Sequence, residues 1–198
     1  MMRIVVITAP SFVTGEAETI RRLLDGGIDR IHLRKPASEE AAMRRLIESL
    51  PAELYPRLSL HDHLSLAVEY GLGGVHLNGR NPEPPQGFPG LVSRSCHSLA
   101  ELEACAPTTD YRFLSPIFDS ISKSGYRAAF DEESLRGAAL RGVIDTQTCA
   151  LGGVEPERLP LLHALGFGGA ALLGCIWRDT SREGLRLTLD RLERYRNE

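Results

Sequence analysis

Two hydrophobic rhythms alternate along this chain. MRIVVIT (2–8) is a short run rich in β-branched residues, and EAETIRRLLDGG (16–27) has helical spacing that ends at Gly26-Gly27. DRIHLR (29–34) reads as a second strand, followed by SEEAAMRRLIESL (38–50), a helix that Ser38 is expected to cap. RLSLHD (57–62) and HLSLAVEYG (63–71) repeat the pair, and GGVHLN (73–78) is a fourth strand. Residues 79–90, GRNPEPPQGFPG, hold too much proline and glycine for the helix due there. LVSRSC (91–96) with SLAELEACA (98–106), and DYRFLSPIF (110–118) with DEESLRGAALRG (131–142), continue the alternation. TCALGG (148–153) with PERLPLLHALG (156–166), and GAALLGCI (169–176) with the charged SREGLRLTLDRLERYRNE (181–198), complete it.

Strands alternating with helices predict parallel βαβ units. Eight units close most simply as an α/β fold of the (β/α)8 TIM-barrel type, small, with one helix replaced by a Pro-rich loop. The expected organisation is one domain over residues 1–198. A doubly wound sheet is the other arrangement, but the GxGxxG fingerprint of its nucleotide-binding form is absent. Barrels typically run to ~250 residues, so 198 residues require short helices.

Composition narrows the partners. Lys plus Arg is 23 and Asp plus Glu is 26, a net charge of −3. That balance gives no broad basic footprint, so neither nucleic acid nor a membrane surface is expected as a partner. A small cluster of cations around an anionic ligand stays open. The apolar start of the chain is too short for a signal peptide, and no run approaches the roughly 18 residues of a membrane span. Cys96, Cys105, Cys149 and Cys175 form no CxxC. Free thiols in a reduced, cytoplasmic protein are expected, and a homo-oligomer is compatible with the chain.

Catalytic groups of a barrel project from the C-terminal strand ends. Alternation places Ile31 and Leu33 on one face and His32 and Arg34 on the other. Val75 and Leu77 likewise oppose His76 and Asn78, and Ser93, Ser95 and His97 share a side. Strands of a covered parallel sheet read as continuous apolar runs, so these interruptions point into the barrel near its mouth. Each alone reads equally well as a hydrogen-bonded core residue; their recurrence on consecutive strands favours a site. His61 and His63 flank Asp62 in LHDH, an HxH spacing that is a weak transition-metal signal. Asp62 by itself suits Mg²⁺, which prefers oxygen ligands and bridges to phosphate. For an anion, FDSISKSG supplies Ser120, Ser122 and Lys123 after the sixth strand. Gly152-Gly153 follow the seventh strand and Gly174 lies near the end of the eighth. Loops after strands seven and eight are the usual phosphate position in barrels.

In this order, IHLRKP, LHDHLSLA, GVHLNGRN, SRSCHS, DYRFLSPIFDSISKSG, ALGGV and LLGCI resemble the thiamine phosphate synthase/TenI family over nearly the whole chain. The resemblance implies a (β/α)8 barrel in thiamine biosynthesis. Its synthases join a thiazole phosphate to hydroxymethylpyrimidine diphosphate and release pyrophosphate with Mg²⁺; its TenI branch isomerises a thiazole carboxylate phosphate. By this resemblance Arg34 contacts the diphosphate, Asp62 binds magnesium, and Ser95 lies near the reacting centre. Ser120, Ser122 and Lys123 match the loop around phosphate and pyrophosphate, and Gly152-Gly153 the thiazole-phosphate loop.

The chain departs from the family pattern at several of these places. His32 stands at the position of a glutamine, Pro36 at that of a lysine, and Lys35 is one residue early and directed to the other face. Asn81 replaces the second magnesium aspartate as a neutral oxygen ligand, Gly79 a glutamine, and Gly174 a serine. Pro116 stands where some TenI-type enzymes carry an acid/base histidine, a role for which His32 and His97 are candidate replacements. The expected catalytic set is Arg34, Ser95, Lys123, His32 and His97. Ser120, Ser122, Gly152, Gly153, Gly174 and His61 are expected to bind substrate, and Asp62 and Asn81 to hold Mg²⁺. The coupling reaction is the leading expectation. TenI-type isomerisation, or a barrel that binds phosphate without turnover, is the alternative.

Overall fold

The computed structural model describes residues 1–119 and 128–196. Eight parallel strands close into a barrel in sequence order: β1 Arg3–Ile7, β2 Arg30–Leu33, β3 Leu58–Leu60, β4 Gly74–Leu77, β5 Leu91–Cys96, β6 Tyr111–Leu114, β7 Thr148–Leu151 and β8 Gly169–Leu172. The ring closes where Val5 of β1 pairs with Ala171 of β8. The eight-stranded barrel with helices between strands is the fold the alternation predicts.

Strand alternation sorts the side chains into two shells. Ile4, Val6, Ile31, Leu33, Leu58, Leu60, Val75 and Leu77 face outward into the main core, packed under the helices. Val5, Ile7, Tyr111, Phe113, Cys149 and Ala171 form a second apolar cluster inside the ring. The helices are short, as 198 residues demand: α1 Glu16–Asp25, α2 Glu40–Glu48, α3 Ser65–Glu69, α4 Leu99–Cys105, α5 Glu132–Leu140, α6 Leu159–Ala164, α7 Gly174–Trp177 and α8 Arg182–Arg196. α1 buries Ile20, Leu23 and Leu24, the spacing of a helix with one wet face. It ends at Gly26-Gly27, where a φ of 91° at Gly27 requires glycine. Between β4 and β5 no helix forms, and residues 79–90 cross as a loop.

Two local expectations are corrected. Ser38 does not cap α2; the helix starts after Glu39 without a side-chain cap, and the Ser38 carbonyl accepts instead from His63 Nε2 (2.8 Å). The apolar run 169–176 is not one strand: β8 stops at Leu172, and Gly174–Trp177 turn into α7. A short apolar run carries no periodicity that separates strand from helix.

Candidate active site

All eight strand ends meet in one cavity of about 1250 Å³. Ile7, Arg34, His61, Asn78, Ser95, Ser115, Leu151 and Leu173, one from each strand or the residue just after it, line its wall. Parallel strands make this inevitable, since every C-terminal end opens on the same face. His97, Gly152, Gly153 and Gly174 line it too, so seven of the residues expected from sequence (Arg34, His61, Ser95, His97, Gly152, Gly153 and Gly174) converge there, while Asp62 is not among the lining residues.

Beneath the cavity lies a buried histidine network. His32 Nδ1 is 2.8 Å from His61 Nε2, and His32 Nε2 is 2.6 Å from the Tyr111 hydroxyl. His76 Nδ1 meets Ser93 Oγ at 2.8 Å and its Nε2 meets Ser95 Oγ at 2.8 Å. The Ser93 hydroxyl donates to the Val75 carbonyl, so its oxygen accepts from His76 Nδ1–H. His76 Nε2 is then the acceptor of the Ser95 hydroxyl proton, which leaves the Ser95 lone pairs for the cavity. Burial pushes all three imidazoles toward the neutral form: His32 and His61 fall well below the usual histidine range, and His76 to about 3.

This geometry corrects two expectations. His32 is fully buried with both nitrogens engaged, so it acts on the cavity only through His61. The HxH pair does not share a ligand point: His63, at φ 55°, turns to Ser38 while His61 turns into the barrel. Among the described residues, His32, His61 and His76 bring three nitrogens within 4.8 Å of one another. The His61 and His76 rings, however, stack at 4.0 Å and 21°, so their lone pairs run side by side rather than toward one ion. The cluster is built as two hydrogen-bonded relays, Tyr111–His32–His61 and Ser93–His76–Ser95, whose rings pack on one another.

Charge gathers on one side of the mouth. Arg34, Arg80 and Arg94, from the ends of β2, β4 and β5, line the cavity there, and Arg34 has no side-chain partner among the described residues; Arg178, after β8, lines it beside the turn that follows β7. Arg178 is paired with Glu155 at 2.6 Å. Asp62 is held by Arg80, and its Oδ2 is buried without a partner among the described residues. The turn that carries Arg80 is fixed by Asn78, whose Oδ1 accepts from the backbone of Arg80 and Asn81. The Asn81 amide nitrogen donates to the His61 carbonyl (2.9 Å), and Asn81 is not among the cavity-lining residues. Lys35 is directed away, as expected, into a buried ion pair with Glu16 at 2.5 Å.

On the opposite side, Gly152 and Gly153 follow β7 with φ of 96° and 62°. A Cβ on Gly152 would lie 2.9 Å from Pro116 Cα, and one on Gly153 would press on the backbone of Phe118 and Asp119. The pair is glycine because the turn after β6 packs against it, and its bare backbone lines the cavity as a consequence. His97 stands exposed at the rim with Nδ1 on the Ser115 carbonyl at 3.2 Å. Ser120, Ser122 and Lys123 lie outside the described residues.

Tyr111 and Arg80 were not singled out from sequence, and His76 and Ser93 were placed on the inward face without a role. The alternation of GGVHLN and LVSRSC signals His76 and Ser93. Tyr111 reads as an ordinary strand aromatic and Arg80 as one residue of a polar loop.

Residues 4–176 match the family described as thiamine monophosphate synthase. A putative thiamine-phosphate synthase of Geobacter sulfurreducens is 29% identical over 182 residues, covering 84% of this chain and 82% of that protein. A thiamine-phosphate synthase of Syntrophomonas wolfei is 26% identical over 189 residues, with 90% of each chain covered. The crystal structure of a thiamine phosphate pyrophosphorylase from Bacteroides thetaiotaomicron superposes with a TM-score of 0.88 at 34% identity, over 99% of this chain and 98% of that one. These relatives do not favour the isomerase alternative. With the eight-stranded barrel and a cation-lined mouth in place, the match over residues 4–176 makes this chain a member of the thiamine monophosphate synthase family.

Proposed function

We propose that this chain is a transferase of thiamine biosynthesis that couples a thiazole phosphate to hydroxymethylpyrimidine diphosphate and releases pyrophosphate. The observation that carries the reading is one cavity with two anion-compatible ends, Arg34 and Arg80 on one side and the bare Gly152-Gly153 backbone on the other. Small phosphorylated substrates suit both ends.

The chemistry follows from the charges. Departure of a diphosphate from the pyrimidine methylene leaves negative charge on the leaving group, and cations held in place beforehand lower that barrier. Among the described residues the Arg34 guanidinium has no side-chain partner, which leaves it ready for such an anion. Ser95, its proton held by His76 Nε2, presents an acceptor to the reacting centre. The neutral state of His61 and His76 keeps further positive charge away from the cationic pyrimidine that forms.

Asp62 fits a divalent cation in one respect: Oδ2 is buried without a partner, the state of a carboxylate oxygen awaiting a ligand. Mg²⁺ there would be held by Asp62 and the substrate's phosphate oxygens, and would supply Lewis-acid neutralisation of the leaving diphosphate. Asn81 would need to turn its amide to take part.

Incubation with both substrates and Mg²⁺ tests the reading, with thiamine phosphate as the expected product. Binding of both substrates with no product by mass spectrometry would leave a barrel without turnover. Conversion of a thiazole carboxylate phosphate alone would establish the isomerase.

A further inference from the structure

Two of the four cysteines meet in the cavity wall. Cys96 ends β5 and Cys105 ends α4, their Sγ atoms lie 3.2 Å apart, and both line the cavity. A disulfide places its sulfurs at about 2.05 Å, so closure asks only a small rotation of two side chains already in contact. Cys149 sits inside the barrel near Arg3, and Cys175 lies on α7.

The two thiols differ in reach. Cys96 is 1% exposed, and burial, reinforced by the neighbouring thiol, pushes it above the ordinary range. Cys105 is 9% exposed, on the helix side. Cys105 is therefore the more accessible of the two to an oxidant, which leaves Cys96 as the resolving group.

We propose that Cys96 and Cys105 form a redox-modifiable dithiol, which low-molecular-weight disulfides oxidise to a cross-link between β5 and α4. Cys105, as its thiolate, attacks one sulfur of the small disulfide. A protein mixed disulfide forms, and one small thiol leaves with the proton. Cys96 then attacks Cys105 Sγ, the Cys96–Cys105 bond forms, and the second small thiol leaves with the second proton. Two protein thiols are oxidised and one small disulfide is reduced to two thiols. The segment so closed, 96–105, carries His97 and begins directly after Ser95, and the backbone N–H of His97 donates to Glu101 of α4 at 2.7 Å, so the cross-link fixes one wall of the cavity. In a reducing compartment such a bond is transient. The assignment rests on the sulfur geometry and stands whichever substrate the cavity takes.

The folded full-length protein is incubated with oxidised glutathione, quenched in acid, alkylated in denaturant and digested for mass spectrometry. The expected result is loss of two alkylatable thiols from the four, a linked peptide pair containing Cys96 and Cys105, and full reversal by dithiothreitol. Cys96→Ser removes the resolving thiol and is expected to accumulate glutathione on Cys105. Cys105→Ser is expected to leave Cys96 unmodified. Four thiols retained in the wild type, or a bridge through Cys149 or Cys175, overturns the proposal. So does a Cys96→Ser protein that takes no glutathione while the wild type forms the bridge.

Discussion

Arg80 grips a single oxygen of Asp62: its Nε lies 3.0 Å and its Nη2 2.8 Å from Oδ1, while Oδ2 stays buried and unpartnered. The pair is neutral overall, so it attracts a free divalent cation less than a bare carboxylate would. Arg80 is itself half exposed, with 49% of its side chain accessible and further donors facing the cavity. Asp62, however, is only 10% exposed, so Arg80→Ala leaves a nearly buried carboxylate without its partner and is expected to cost about 1–3 kcal/mol of stability. Binding of inorganic pyrophosphate in chelator should weaken about tenfold, the size of one hydrogen bond to a charged group. With Asp62 released, the Mg²⁺ needed for half-maximal pyrophosphate binding should fall. Calorimetry with and without Mg²⁺ reads both effects, and equal pyrophosphate affinity in wild type and variant would remove Arg80 from the site.

The buried histidines set an acid limit on stability. Burial holds His32, His61 and His76 neutral in the folded barrel, whereas the unfolded chain protonates each near the ordinary value of about 6.5. The unfolded state thus binds more protons below that pH, and stability falls as pH drops through it. Each histidine contributes about 1.4 kcal/mol per pH unit once fully titrating. Between about pH 7.5 and 5.5 the three together should cost about 4 kcal/mol. Urea unfolding at the two pH values measures this. His32→Gln should shrink the difference by roughly a third, whatever it does to stability at pH 7.5; an undiminished difference would place the acid sensitivity elsewhere.

Sequence reading placed the faces of the strands but not their depth. Period-two alternation correctly sends His32, His76 and Ser95 to the inside of the ring, because it depends only on strand geometry. It cannot tell the cavity from the layer below, which is set by how neighbouring strands are staggered. His32 pairs with Ile7 on one side and Ser59 on the other, and this register sinks it beneath His61. The partner that completes the relay, Tyr111, lies 79 residues away, beyond any local pattern. The glycines after β7 were legible as a special turn. Their reason, close packing on Pro116 and Phe118, depends on a neighbouring strand's loop and appears only in three dimensions.

Lys35 and Glu16 form a sealed pair, 0% and 3% exposed at the side chain. Lys35 Nζ also donates to the carbonyls of Ala9 and Ser11, so it anchors the loop between β1 and α1 at the cavity rim. Burial pulls Lys35 down and Glu16 up from their ordinary values, and their mutual attraction opposes both shifts. Removing one partner leaves the other charged and buried, so Lys35→Met should cost about 3–5 kcal/mol. The double change Lys35→Met with Glu16→Gln should recover a large part of that loss, since no uncompensated charge remains. Chemical denaturation of the two variants separates an ion-pair role from lost packing: equal destabilisation in both points to packing alone.

Gly153→Ala tests whether the turn after β7 serves binding, folding or both. At φ 62° a Cβ is strained, and here it would also press on the backbone of Phe118 and Asp119. A strained backbone position of this kind costs about 1–3 kcal/mol, which thermal unfolding should register. The loop must shift to relieve the clash, carrying Gly152 and its bare backbone away from the cavity wall. Affinity for thiazole phosphate should therefore fall, while pyrophosphate, whose expected contacts are Arg34 and Arg80 on the far side, should bind as before. Calorimetry at a temperature where the variant is fully folded distinguishes the outcomes. Equal losses for both ligands would show a general collapse of the mouth, and no loss for thiazole phosphate would confine Gly153 to packing.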